Sequence, residues 1–116
     1  MEIRLPIASV AAGLLAAASA CSSDPGGLSQ AAARGKRSYE NVCIACHHGD
    51  PNVDGTLGPA VAGASLELLR AKVLRGEYPP DYAPKRPGQV MPQYPYVEDR
   101  ITDLAAYLAE VARTGG

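Results

Sequence analysis

The sequence predicts a helical domain, because three segments carry the apolar spacing or the boundary residues of α-helices. The first begins at Leu28, the second follows Ser65 and the third begins at Val97. At 116 residues the chain has room for one domain. Its N-terminal residues differ in composition from the rest, so we place the folded domain at residues 28–116.

The N-terminal residues have the features of a bacterial export signal. Residues 5–20 form an apolar, alanine-rich run that is shorter than the ~20 residues needed to span a bilayer. The run ends in Ala18-Ser19-Ala20, a small-residue pattern that precedes signal cleavage. We therefore predict a signal peptide over residues 1–20 and a flexible linker over residues 21–27, with a retained membrane anchor as the alternative.

Cys21 follows the predicted cleavage site directly. The segment Ala18-Ser19-Ala20-Cys21 resembles the lipobox of bacterial lipoproteins, in which the cysteine is lipid-modified and becomes the first mature residue. Ala18 departs from that pattern, which usually has leucine there. Lipidation would tether the mature chain to a membrane through Cys21, whereas ordinary cleavage at the same bond would leave Cys21 incidental.

The first helix is predicted from apolar or small residues at alternating intervals of four and three, which are Leu28, Ala32, Gly35, Tyr39 and Val42. Ser29 is a suitable N-cap. Glycine inside a helix costs about 1 kcal/mol relative to alanine, so we expect Gly35 to permit a close approach of another helix. The charged residues lie largely off the stripe and are expected on a solvated face: Arg34, Lys36, Arg37 and Glu40.

The pentad Cys43-Ile44-Ala45-Cys46-His47 has the spacing of a covalent haem-attachment site. Residues three apart on a helical turn point the same way, so both thiols can reach one edge of a porphyrin while the next residue places its imidazole beneath the metal. In this interpretation Cys43 and Cys46 form thioethers with the haem vinyl groups, and His47 is an axial ligand of the iron.

A zinc site or a redox C-x-x-C is the main rival for this pentad. Zinc would require two more Cys or His at a comparable spacing, and the only other histidine is His48, directly adjacent. A thioredoxin-like site would require βαβ patterning, which is missing. His48 cannot fill the opposite axial position because it adjoins the ligand on the first side, so we expect it to face solvent in the turn-rich loop over residues 48–55.

The middle of the chain is predicted to cover the haem. Ser65 can cap a helix from Leu66 to Arg75, and Gly76 can end it. The proline-dense residues 78–88 are too broken for a helix or a paired strand, so we expect an ordered Ω-like loop across the haem edge. The tyrosines of that loop and Gln89 are candidates for hydrogen bonds to the haem propionates.

Met91 is the candidate for the second axial ligand. It is the only methionine outside the signal segment, it follows the proline-dense loop, and Pro92 biases its backbone toward an extended conformation. A thioether opposite an imidazole would make the Met/His pair of electron-transfer haems. An open sixth position, or a lysine such as Lys85, is the alternative.

The last helix is predicted from a further apolar series at helical spacing: Val97, Ile101, Leu104, Ala105, Leu108, Val111 and Ala112. Arg113 lies in its last turn, and two glycines end it. We expect this helix to cross the first one, with Tyr39 and Tyr107 packed at the contact.

The order of these motifs resembles that of a small class I cytochrome c. The resemblance covers residues 28–113 and rests on the elements already described together with Leu57-Gly58-Pro59. It implies an all-α cytochrome c fold wrapped around one covalently bound haem, with the terminal helices in contact. It also implies that the carbonyl of Pro59 accepts the second N–H of His47. Covalent haem attachment outside the bacterial cytoplasm implies a periplasmic protein, which lipidated Cys21 would anchor to the membrane.

These features predict a one-electron carrier rather than an enzyme, because no acid pair or activated nucleophile can be identified. Alternatives are an electron-accepting subunit of a periplasmic dehydrogenase or oxidase, and a gas sensor or peroxidase with an open iron site. We expect redox proteins as partners, and either a monomer or a subunit of a complex. The net charge of −1 indicates no nucleic-acid partner. Several cations could form a rim for acidic partners, or could simply be solvated: Arg70, Lys72, Arg75, Lys85 and Arg86.

Overall fold

The computed structural model describes residues 13, 27–86, 88 and 91–115. Across these residues the regular structure is helical, with no strand. The all-α prediction is therefore confirmed. The predicted signal peptide, Cys21 and nearly all of the predicted linker lie outside the described residues, as does Gln89.

Three α-helices make up the domain, and each has an extension of different helical pitch. Helix α1, Gln30–Ser38, continues into a π-helical turn, Tyr39–Cys43. Helix α2, Leu66–Leu69, continues into a second π-helical turn, Arg70–Leu74. Helix α3, Ile101–Thr114, is preceded by the 3₁₀ turn Pro95–Arg100. The three predicted helical segments are thus confirmed, whereas the two π-helical turns were not anticipated.

The helix boundaries follow local hydrogen bonding. The hydroxyl of Ser29 accepts the amide of Ala32 at 3.1 Å, and the hydroxyl of Ser65 accepts the amide of Leu68 at 3.1 Å. Gly76, with a φ of +70°, ends the α2 segment, as expected for a residue in the left-handed region. The predicted caps and stop are therefore confirmed.

Helices α1 and α3 cross in direct contact, as predicted. The rings of Tyr39 and Tyr107 lie 5.7 Å apart with planes inclined by 57°, a tilted aromatic pair. Gly35 faces the backbone of α3, which explains a glycine inside α1. The crossing brings the two ends of the domain together and forms one wall of its interior.

Two polar contacts join the same helices at the surface. Arg34 donates two hydrogen bonds to the carboxylate of Asp103, at 2.9 and 3.0 Å. This hydrogen bonding raises the pKa of Arg34 and lowers that of Asp103. Ser29 donates its amide and its hydroxyl to Glu110, which lowers the pKa of that carboxyl. Arg34 is exposed, as predicted. Its pairing with Asp103 across the helix contact was not predicted.

Among the described residues the buried core is aliphatic apart from Tyr39 and Tyr107, and the sequence has no Phe and no Trp. Its buried members include Ala32, Tyr39, Leu69, Val73, Val97, Ile101, Leu104, Tyr107 and Leu108. In the described part of the chain, no helix is both long enough and apolar enough to cross a membrane.

Candidate haem site

A cavity of about 510 Å³ opens between the α1–α3 crossing and the α2 segment. Much of its wall is aliphatic and comes from the core, including Leu69, Val73, Val97, Leu104 and Leu108. Its size lies in the range of small-molecule and cofactor sites. Cys43, Cys46, His47 and Met91 all line this cavity.

The pentad forms a tight turn at the end of the first π-helical segment. The amides of Cys46 and His47 both donate to the carbonyl of Cys43, at 3.2 and 2.9 Å. Both cysteines are half-buried, and burial raises the pKa of the Cys43 thiol to about 11. The phenol of buried Tyr39 donates to the carbonyl of His48, which fastens the far end of the turn to α1. The turn therefore presents two neighbouring sulfurs to one apolar cavity.

The imidazole of His47 is held by the loop that follows the pentad. Its Nδ1 lies 2.8 Å from the carbonyl oxygen of Pro59. Because a carbonyl can only accept, Nδ1 carries the proton in this contact and Nε2 keeps a free lone pair. Gly58 lies against the ring, where a β-carbon would come within 2.5 Å of Cε1. The loop thus determines both the tautomer and the orientation of the ring.

Leu57 and Gly58 occupy different positions relative to the cavity and the ring. Leu57 lines the cavity and is 56% exposed, whereas Gly58 is buried against the imidazole of His47. The physical reason lies in the backbone: the amides of Leu57 and Gly58 both donate to the carbonyl of Cys46. This arrangement places the glycine, and not the leucine, against the ring.

The family model for cytochrome c matches residues 32–112, which is most of the chain. The chain belongs to the cytochrome c family. A search of curated proteins and a search of solved structures both found no match. Members of this family bind covalently attached haem c and transfer electrons between redox proteins, so this cytochrome carries haem c.

The rival readings of the pentad find little support in the cytochrome. Within residues 27–86, 88 and 91–115, no three side chains of His, Cys, Asp or Glu are grouped as a zinc site would require. His48 is exposed, as predicted, and its Nδ1 accepts the amide of Asp50 at 2.9 Å. His48 therefore stabilises the local turn and has a different role from His47.

The axial candidates other than His47 occupy different surroundings. Met91 is partly buried, packs against the core and lines the cavity. Lys85 also lines the cavity, but its ammonium group donates to the carbonyl of Ala60 at 2.7 Å. The alternative ligand is therefore engaged with the backbone, which favours Met91.

The proline-dense loop contributes aromatic and cationic side chains to the cavity. Tyr78 and Tyr82 stack with their centroids 5.4 Å apart, and the ammonium of Lys72 lies 4.2 Å from the centroid of Tyr78. All three residues line the cavity. The loop consequently lies along the cavity wall, as its predicted position across a haem edge requires.

The described cavity wall carries cations and no carboxylate. Lys72, Lys85, Arg86 and Arg100 line it, so its charge complements that of the anionic haem propionates. Arg100 was missed in the sequence because it adjoins a helix start and carries no motif. Arg70 and Arg75, which were candidates for the rim, are exposed and do not line the cavity. The apolar wall, the paired sulfurs, the oriented imidazole and the cations together fit haem c.

Proposed function

We propose that this cytochrome is a one-electron carrier of class I type, in which His47 and Met91 bind the haem iron from opposite sides. Haem c, when bound, supplies the Fe(III)/Fe(II) couple. The observation that carries the proposal is that one apolar cavity is lined both by an imidazole with a free Nε2 and by a thioether. With both positions filled by the chain, no coordination site is left for a substrate.

The two cysteines attach the group in this proposal. Each thiol would add across one vinyl group, so that a carbon–sulfur bond would form and the thiol hydrogen would go to the other vinyl carbon. The turn at Cys43 and Cys46 brings the sulfurs to the same cavity as His47, which supports this assignment. Covalent attachment keeps the group in place even if an axial bond opens.

The proposed ligands and the cavity lining favour electron transfer over chemistry on a substrate. The Met91 thioether would favour Fe(II) and raise the reduction potential, whereas the Pro59 hydrogen bond would increase the donor strength of His47. No Asp or Glu lines the described cavity to act as a general base. These features favour a carrier over a peroxidase or another haem enzyme.

Export to the periplasm is a further part of this proposal. It is supported by the apolar run over residues 5–20 and by the small residues before Cys21. Lipidation of Cys21 would leave the haem domain on a short tether at the membrane surface. Mass spectrometry of the mature N-terminus distinguishes a diacylglyceryl cysteine from an unmodified one, and Cys21→Ser should release the holoprotein from membranes only in the first case.

Carbon monoxide binding tests the ligand assignment. The ferrous wild-type protein should bind CO slowly, because Met91 must first leave, whereas Met91→Ala should bind it at once. Lys85→Ala, which removes the alternative ligand, is the matched control and should keep the slow CO binding of the wild type. Immediate CO binding by the wild-type protein would exclude the carrier proposal and indicate a gas-binding or peroxidase site.

Extraction and salt washes test the remaining elements. Acid acetone should leave the haem with the wild-type chain and should extract it from a Cys43→Ala/Cys46→Ala variant.

A mobile carrier should separate from its partners at high salt, because electrostatic docking is screened. Retention in a fixed complex at high salt would instead indicate the alternative, an electron-accepting subunit of a dehydrogenase or oxidase.

A further inference from the structure

Two cations of the proline-dense loop donate to the backbone beside the His47 site. Lys85 Nζ lies 2.7 Å from the carbonyl oxygen of Ala60, and Arg86 Nη1 lies 3.1 Å from that of Gly55. Arg86 also approaches the carboxylate of Asp54 at 3.9 Å. The two carbonyls stand on either side of Gly58 and Pro59 in the chain, so the cations hold both ends of the segment at residues 54–60.

The segment at residues 54–60 contributes no side chain to the hydrophobic core, although Leu57 and Pro59 line the cavity. Two hydrogen bonds lie within the segment, Gly55 N to Gly58 O at 2.8 Å and Ala60 N to the carboxylate of Asp54 at 2.8 Å. A third joins it to the pentad, Gly58 N to Cys46 O at 2.9 Å. Leu57 at its tip is exposed. Polar contacts therefore hold the backbone of the segment, and Lys85 and Arg86 supply two of them from outside it.

We propose that Lys85 and Arg86 are positioning residues for His47. By bracing the segment at residues 54–60 they keep the Pro59 carbonyl at its 2.8 Å contact with Nδ1. This inference rests on the proposed function, in which His47 is an axial ligand. Loss of the brace loosens the contact, lowers the donor strength of the imidazole and so raises the reduction potential.

A charge effect of opposite sign accompanies any substitution of these cations. Removing a positive charge near the haem disfavours Fe(II) and lowers the potential. Arg100 allows the two effects to be separated. It lines the same cavity, and its side chain makes no hydrogen bond or ion pair with the described part of the chain. Arg100→Leu therefore removes a cavity charge without removing a brace.

The experiment compares Lys85→Leu with Arg100→Leu in the haem-loaded full chain. Amide hydrogen exchange at Gly55, Gly58 and Ala60, measured by NMR, should be roughly fivefold faster in Lys85→Leu and unchanged in Arg100→Leu. The reduction potential of Lys85→Leu should lie above that of Arg100→Leu. Lys85→Arg, which keeps the charge and the donors, should restore both values.

Arg86→Leu provides a second, independent variant, with the same expected acceleration at Gly55. Equal exchange rates and equal potentials in the Lys85→Leu and Arg100→Leu proteins would overturn the positioning role. That result is distinguishable from failure of the carrier proposal, which is decided by CO binding to the wild-type protein. If the wild-type protein binds CO slowly but the amide exchange rates of Lys85→Leu are unchanged, the protein is a carrier and the positioning role is wrong.

Discussion

Gly35 of α1 lies against the peptide that joins Asp103 and Leu104 in α3. A β-carbon at Gly35 would stand 2.5 Å from the carbonyl carbon of Asp103 and 2.9 Å from the nitrogen of Leu104. The neighbours are backbone atoms, which cannot move aside by changing a rotamer. This contact therefore sets how closely the terminal helices approach, and with them one wall of the haem cavity.

Gly35→Ala should destabilise the holoprotein by about 2 kcal/mol. Overpacking costs about 1–3 kcal/mol, and the backbone contact places this site at the upper end of that range. The better helix propensity of alanine offsets roughly 1 kcal/mol. Denaturant unfolding measures the difference, with Gly49→Ala as the control, because no atom lies within 4 Å of a β-carbon there. Equal stabilities of the two variants would contradict the close crossing.

Gly58→Ala should disturb the imidazole without disturbing the helices. The added methyl group would lie 2.5 Å from Cε1 and 2.6 Å from Nδ1 of His47, so the ring must turn away from the Pro59 carbonyl. A weaker hydrogen bond makes the imidazole a poorer donor, and the reduction potential should rise. Voltammetry checks this against Gly49→Ala, which should keep the wild-type potential.

Tyr39→Phe tests the hydrogen bond that fastens the haem-attachment turn. The variant keeps the aromatic pairing with Tyr107 but leaves the carbonyl of His48 without its donor. We expect a loss of about 1 kcal/mol in the free energy of unfolding. Tyr107→Phe is the matched control, because within the described residues its hydroxyl donates no hydrogen bond. A loss of similar size in both variants would show that the effect comes from removing a hydroxyl from the tyrosine pair and not from the bond to the turn.

Spacing and chain order were sufficient to predict the haem pentad, the helical crossing, and the caps at Ser29 and Ser65. These features are local, or depend on a single glycine whose cost in a helix requires a packing reason. The proximity of Pro59 to His47 was predicted only through family resemblance. Nothing in the residues themselves brings that carbonyl to the ring before the loop is folded.

The contacts that the sequence did not reveal are those between polar groups far apart in the chain. Arg34 pairs with Asp103, and Lys85 binds a backbone carbonyl, although each looks like an ordinary solvated charge. A backbone acceptor has no sequence signature, because every residue carries one. The π-helical turns were missed because, over so few residues, the apolar spacing of a π-helix differs little from that of an α-helix.

Acidification should weaken the contact between α1 and α3. The hydrogen bonds from Arg34 hold the pKa of Asp103 below its unfolded value of about 3.9, so the stability from this pair is present above that pH. It is lost as the pH falls through the folded-state pKa. The stability difference between wild type and Asp103→Asn should therefore shrink below about pH 4. In an Arg34→Leu background the same difference should be small and nearly independent of pH.

Removing the haem should unfold most of the chain. Buried residues of the core, including Leu69, Val73, Val97, Leu104 and Leu108, also line the cavity of about 510 Å³, so without the macrocycle their apolar surfaces lose a packing partner. A domain of this size is only marginally stable, and the sequence has no Phe or Trp that could fill the cavity. Cys43→Ala/Cys46→Ala protein prepared without haem should show largely disordered far-UV circular dichroism, and native-like helical signal in that protein would contradict this account.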